Sequence, residues 1–91
     1  MAIVAVWQRI EEERVVLALQ AAGEKLDNAD GQALLDFSSV RRVDPSAIRA
    51  IEEFANTADR KAVNVALRGV SVDVYKVLKL VKLAPRFSFV A

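Results

Sequence analysis

Apolar positions along the chain cluster in five short β-rich runs separated by polar breaks, and two longer stretches between them carry a helical period. The first run, Ile3 to Ile10, ends at the acidic triplet Glu11-Glu12-Glu13. The second, Arg14 to Gln20, contains Val15-Val16-Leu17-Ala18-Leu19 without alternation, the pattern of a strand covered on both faces. The two runs are near enough to predict an antiparallel hairpin closed by the acidic turn. Ala21 to Asp30 reads as a short helix, weakened by Gly23 and ended by Asn28, Asp30 and Gly31. Leu34 to Phe37 is a buried strand interrupted by Asp36. From Pro45 onward Ile48, Ile51, Phe54, Ala55 and Ala58 recur at i, i+3, i+4, with Arg49, Glu52, Glu53, Asn56 and Arg60 on the opposite side of one amphipathic helix.

Ala62 to Leu67 alternates as a strand, with Val63, Val65 and Leu67 on one face, and Gly69 turns the chain. Ser71 can cap a helix that carries Asp73 in its first turn and runs to about Val81. Its polar residues Asp73, Lys76, Lys79 and Lys82 fall at every third position, so its apolar arc is wide. Either the helix is seated deeply, or Tyr75, Val77 and Val81 face a partner. Pro85 stops it, and Phe87 to Val90 alternates as a last, edge strand. The order β-β-α-β-α-β-α-β predicts an α/β fold: a mixed, mostly parallel sheet with an N-terminal β-hairpin and helices packed against it.

Composition narrows the function. Ninety-one residues suffice for a single domain spanning 1–91. At 54 % hydrophobic, the chain is too apolar for disorder and leaves apolar surface for a protein partner or a homodimer. Thirteen basic and twelve acidic residues give a formal charge of +1, with no basic run interleaved with aromatics, so nucleic acid is not an expected partner. Cysteine and histidine are both absent, which removes disulfides, thiolate chemistry, the usual zinc ligands and the usual general base. The chain is therefore expected to be a non-enzyme without cofactor or metal. The N-terminus has no basic leader, and no apolar run approaches the ~20 residues of a membrane span. A cytoplasmic domain without membrane insertion is expected.

Candidate chemistry concentrates where the third strand leads into the amphipathic helix. Asp44 can cap the helix through its carboxylate, Pro45 suits the first helical position, and Ser46 then lies in the first turn at the positive end of the helix dipole. Arg41 and Arg42 precede the cap and can steer an acidic partner. Asp36 is expected to bond loop amides, and Trp7 to serve the core or a dimer contact.

The strand ending Leu35-Asp36-Phe37, the Ser38-Ser39-Val40 loop and the Val43-Asp44-Pro45-Ser46-Ala47-Ile48 helix start together resemble the STAS domain of bacterial anti-sigma factor antagonists. Leu67-Arg68-Gly69-Val70-Ser71, the segment Val74 to Leu80 and the closing Phe87-Ser88-Phe89 look like the rest of that pattern, so the resemblance covers most of the chain from Val15 to Val90. In that family the helix commonly opens Asp-Ser-Ser-Gly, with the second serine phosphorylated by an anti-sigma kinase. The resemblance places Asp44 on the aspartate and Ser46 on the phosphoacceptor, while Pro45 and Ala47 stand for the first serine and the glycine. It implies a partner-switching transcription regulator that binds an anti-sigma factor with serine-kinase activity through Asp44, Pro45, Ser46, Arg49 and Arg42 and is released by phosphorylation at Ser46. Two other roles are compatible with such a domain: a cytoplasmic accessory subunit of an ABC lipid-trafficking transporter, and a homo-oligomeric scaffold using the last helix.

Overall fold

The computed structural model describes residues 6–26 and 31–90. Among these, four strands form one parallel sheet in the order β1-β2-β3-β4: β1 (Val6–Arg9), β2 (Gln32–Asp36), β3 (Asn64–Arg68) and β4 (Ser88–Val90). Three helices connect them, α1 (Val15–Lys25), α2 (Pro45–Arg60) and α3 (Val72–Leu80). Single 3-10 turns at Glu12–Arg14 and Ala84–Arg86 precede α1 and β4.

The α/β architecture and the parallel sheet agree with the sequence reading; the N-terminal hairpin does not. The run Arg14 to Gln20, expected as a strand, forms the first half of α1, and β1 pairs in parallel with β2 through Val6–Ala33 to Arg9–Asp36. A continuous apolar run does not distinguish a covered strand from a helix. What decides is the spacing of the residues that reach the core. Val15, Leu19, Ala22 and Leu26 are buried at helical intervals, whereas Leu17 is 65 % exposed. The helix formers Ala21, Ala22, Glu24 and Lys25 extend the same segment rather than starting a second one. The β1-to-β2 crossover is thus a full helix, long enough to return the chain in parallel. Of the expected helix over 21–30, the part through Lys25 is the second half of α1, and residues 27–30 lie outside the described residues.

Strand order explains where the core sits. Strands laid down sequentially, each joined by a crossover of the same right hand, receive all their helices on one face. Lys25 of α1 bonds through Nζ to Oε1 of Gln8 at 3.1 Å, and Gln8 is the register partner of the buried Leu35. Tyr75 of α3 packs edge-on against Phe89, the register partner of the buried Leu67, with ring centroids 5.1 Å apart. Val6, Ala33, Leu35, Val65 and Leu67 therefore point into one layer, which the buried sides of α1, α2 and α3 complete.

In α2 the buried stripe is Ala47, Ala50, Ile51, Phe54, Ala55 and Ala58, rotated from the expected one so that Ile48 is only half-buried. The wide apolar arc of α3 is not deeply seated. Only Val74 and Leu78 are buried, while Val72 and Leu80 are 68 % and 81 % exposed. Nor does Trp7 serve the core, being 51 % exposed.

Gly69 governs how the loops pack at the carboxyl end of the sheet. Its φ is +68°, the left-handed region, and a Cβ there would lie 2.8 Å from Cβ of Ser38 and 3.1 Å from its Cα. Only a residue without a side chain lets the β3–α3 turn press on the β2–α2 loop. Gly69→Ala is expected to lower stability by about 1–3 kcal/mol, read as a reduced midpoint in chemical denaturation. It should also shift the amide NMR signal of Ser38, the residue nearest the added methyl group.

Candidate functional site

Parallel strands end together, so the loops after β2 and β3 and the first turns of α2 and α3 gather at one edge of the sheet. The β2–α2 loop, Phe37 to Val43, is fastened at three points. Asp36 Oδ1 accepts from the amide of Ser38 at 2.9 Å, as expected for a lone acid at the end of an apolar strand. Ser39 Oγ accepts from Arg9 Nη2 at 3.1 Å. Glu12 Oε1 accepts from the amides of both Arg41 and Arg42, at 2.8 and 3.0 Å. Val40 and Phe37 are buried beneath. The sequence reading missed Glu12: it took the acidic triplet for a turn, and the amides it holds are 29 and 30 positions away.

The start of α2 follows the expected grammar. Asp44 is extended, with φ −89° and ψ 175°, and its Oδ1 accepts from the amide of Ala47 at 2.7 Å. Pro45 occupies the first helical position and Ser46 the second. Asp44, Pro45, Ser46, Arg42 and Arg49 are all exposed. The five residues singled out in the sequence thus all lie exposed on one short stretch of chain, from the end of the loop to the second turn of the helix. Two shallow clefts flank that stretch. One, of about 180 Å³, lies against Glu12, Glu13, Arg14, Arg42, Asp44 and Ala47. The other, of about 200 Å³, lies between Arg41, Arg42 and Val43 and the first turns of α3 at Asp73, Val74 and Val77. Arg42 borders both. A larger groove of about 480 Å³ runs between α1 and α2 toward the far end of α2, past Leu19, Gly23, Ala50 and Phe54.

No acidic residue occupies the first turn of α2, so the amide end of the dipole is uncompensated except by the Asp44 cap. Among the described residues no group of three or more acidic, histidine or cysteine side chains is placed to hold a metal ion, and no charged or polar residue is buried. Ser46 is exposed, and the neighbouring carboxylate of Asp44 is engaged in the cap.

The carboxyl of Asp36 is held below its ordinary range, first by its side-chain and backbone hydrogen bonds with Ser38; burial opposes this, and the nearby charges of Arg68 and Arg9 add to the lowering. A depressed folded-state value means a contribution to stability that is present above the unfolded value, about 3.9, and is lost as pH falls through the lower folded one. Comparison of the wild type with Asp36→Asn by urea denaturation should therefore show an advantage at pH 6 that shrinks below about pH 4. An advantage constant across that range would contradict the role of the ionised carboxylate. Asp44→Ala is expected to cost about 1 kcal/mol through loss of the cap, measured in the same experiment at pH 7.

No protein of curated function matches this chain. Two solved structures of TM1081 share the fold. The crystal structure, of a Thermotoga maritima protein provisionally designated an anti-sigma factor antagonist, superposes with a TM-score of 0.71 at 18 % identity, covering 90 % of this chain and 72 % of that one. The NMR structure superposes with a TM-score of 0.76 at 17 % identity, covering 99 % of this chain and 77 % of that one. The family model of the STAS domain matches residues 4–90, nearly the whole sequence, and the chain belongs to the STAS domain family.

Proposed function

We propose that this STAS domain is a non-enzymatic partner-switching regulator of the anti-sigma factor antagonist kind, in which Ser46 is the phosphoacceptor. Its partner is an anti-sigma factor with serine-kinase activity, bound across Asp44, Pro45, Ser46, Arg42 and Arg49. The role is one of bacterial transcription control and belongs to the cytoplasm. The observation that carries the reading is the exposed Ser46 in the first turn of α2 of a STAS domain, at a helix start that resembles the Asp-Ser-Ser-Gly opening of anti-sigma factor antagonists. The likeness of fold to a structure designated an anti-sigma factor antagonist supports it.

Phosphorylation transfers the γ-phosphoryl group of ATP to Oγ of Ser46. The hydroxyl proton passes to a base on the kinase, and ADP leaves. The product carries about −1.5 to −2 charge at pH 7. Amide groups at the helix mouth and the dipole tolerate that charge, so the domain stays folded. A partner seated on the same surface has to strip water from a dianion lying two residues from the Asp44 carboxylate. Binding is lost through desolvation and like-charge repulsion, without a change of shape.

The test uses the chain as bait in extracts of its native cell, with Ser46→Asp and Ser46→Ala beside the wild type. The expected partner is a kinase that is captured by the wild type, transfers phosphate to Ser46 as located by mass spectrometry, leaves Ser46→Ala unlabelled, and binds Ser46→Asp at least tenfold more weakly, a loss of about 1.4 kcal/mol or more. Capture of one stable membrane-transporter complex by all three baits would overturn the switch and favour the accessory-subunit role.

A further inference from the structure

The face of the sheet opposite the helices is bare among the described residues, and its register makes it complementary to itself. Two rows of side chains cross it. Trp7, Leu34, Ala66 and Ser88 form one row, and Arg9, Asp36, Arg68 and Val90 the other. None of the eight is buried. Parallel sheets ordinarily have both faces covered, and this one carries its single tryptophan and two arginines, residue types favoured at binding hot spots, on the open side.

We infer that this face is the contact surface of a homodimer, in which two copies pack bare face to bare face about a twofold axis running parallel to the strands between β2 and β3. That axis lays β2 of one copy over β3 of the other and leaves each row opposite itself. Asp36 then meets Arg68 of the second copy, and Arg68 meets its Asp36. Leu34 lies over Ala66 of the second copy, and Trp7 over Ser88. The two charge pairs and the Leu34–Ala66 contacts are next to the axis, so the mutual twist of aligned sheets, about 30°, displaces them least.

Ionisation of Asp36 is already favoured within the chain by Ser38, Arg68 and Arg9, and a carboxylate has capacity for a further donor. The face is small, about 19 Å across four strands at ~4.8 Å spacing and roughly 16 Å along them. It therefore makes a weak, reversible dimer of the transient class. This surface lies on the sheet, whereas Ser46 lies on α2, so the dimer and the proposed switch stand or fall separately.

Sedimentation velocity across about 10 μM to about 1 mM tests the inference. The wild type is expected to show a monomer–dimer equilibrium, with emission of the sole tryptophan shifting to shorter wavelength as dimer forms. Asp36→Lys and Arg68→Glu, each of which sets like charges against each other across the axis, should each weaken association at least tenfold. An equimolar mixture of the two should restore it, because Lys at 36 then faces Glu at 68 and Arg68 faces Asp36. A wild type that remains monomeric to 1 mM would overturn the inference, as would a dimer unmoved by either substitution or a mixture that fails to associate. Should a charge variant lose its folded circular dichroism spectrum, Ala66→Arg, which adds bulk at the centre of the open face, decides instead. A folded Ala66→Arg that still dimerises overturns the inference, and a folded monomeric one supports it.

Discussion

Sequential parallel pairing is the constraint on which the rest of this structure depends. Once β1, β2, β3 and β4 lie side by side in chain order, every connection has to return over the sheet, and a uniform right hand sends each to the same side. Among the described residues the consequence is two layers, with a dry helical side and an open strand side. The same constraint sends all strands in one direction, so that their following loops share one edge. The mouth of α2 is placed there by topology before any side chain is considered, and the first turns of α3 stand beside it at Asp73, Val74 and Val77. In open α/β sheets that edge is where ligands and partners are received.

Local fastening then turns an edge into a defined surface. A loop of seven residues between a strand and a helix would be mobile if its amides faced only water. Here two successive amides, of Arg41 and Arg42, converge on the carboxylate of Glu12, Asp36 closes the turn at Ser38, and Gly69 lets a neighbouring turn press directly on that serine. Asp44 finishes the arrangement by capping α2. Each contact is worth little alone, yet together they hold the exposed Ser46 on a defined element. The switch proposed for Ser46 needs this, because repulsion acts on a partner only if the added charge has no easier place to go.

Apolar residues that do not reach the core are distributed unevenly over this framework. The exposed sides of α3 and β4 carry Val72, Tyr75, Leu80, Val81 and Phe89, and Trp7 lies on the bare sheet face. Lys76 and Lys79 on α3 and Lys82 in the turn after it are exposed, so the apolar surface there is interleaved with positive charge. Arg86 forms an ion pair with Asp59 of α2, half-buried on the arginine side and exposed on the aspartate side, where solvent screens it.

Much of this architecture was legible in the residues themselves. Asp44-Pro45-Ser46 specified the start of α2 because capping depends on neighbours within one turn, and Ser71 specified the start of α3 for the same reason. Strands β3 and β4 followed from alternation, and the lone Asp36 from its need for a nearby donor. Where the sequence misled, at Val15 to Leu19, five consecutive apolar residues satisfied both periods. Only the layer they pack against chose helix, by burying Val15 and Leu19 and leaving Leu17 in water. Contacts between residues far apart in the chain carry no local signature, which is why the role of Glu12 and the close approach of Gly69 to Ser38 came from the tertiary structure alone. Strand register is of the same kind. The sequence determined that Asp36 interrupts one strand and that Arg68 follows another, but placing them side by side on a face uncovered among the described residues required the pairing itself.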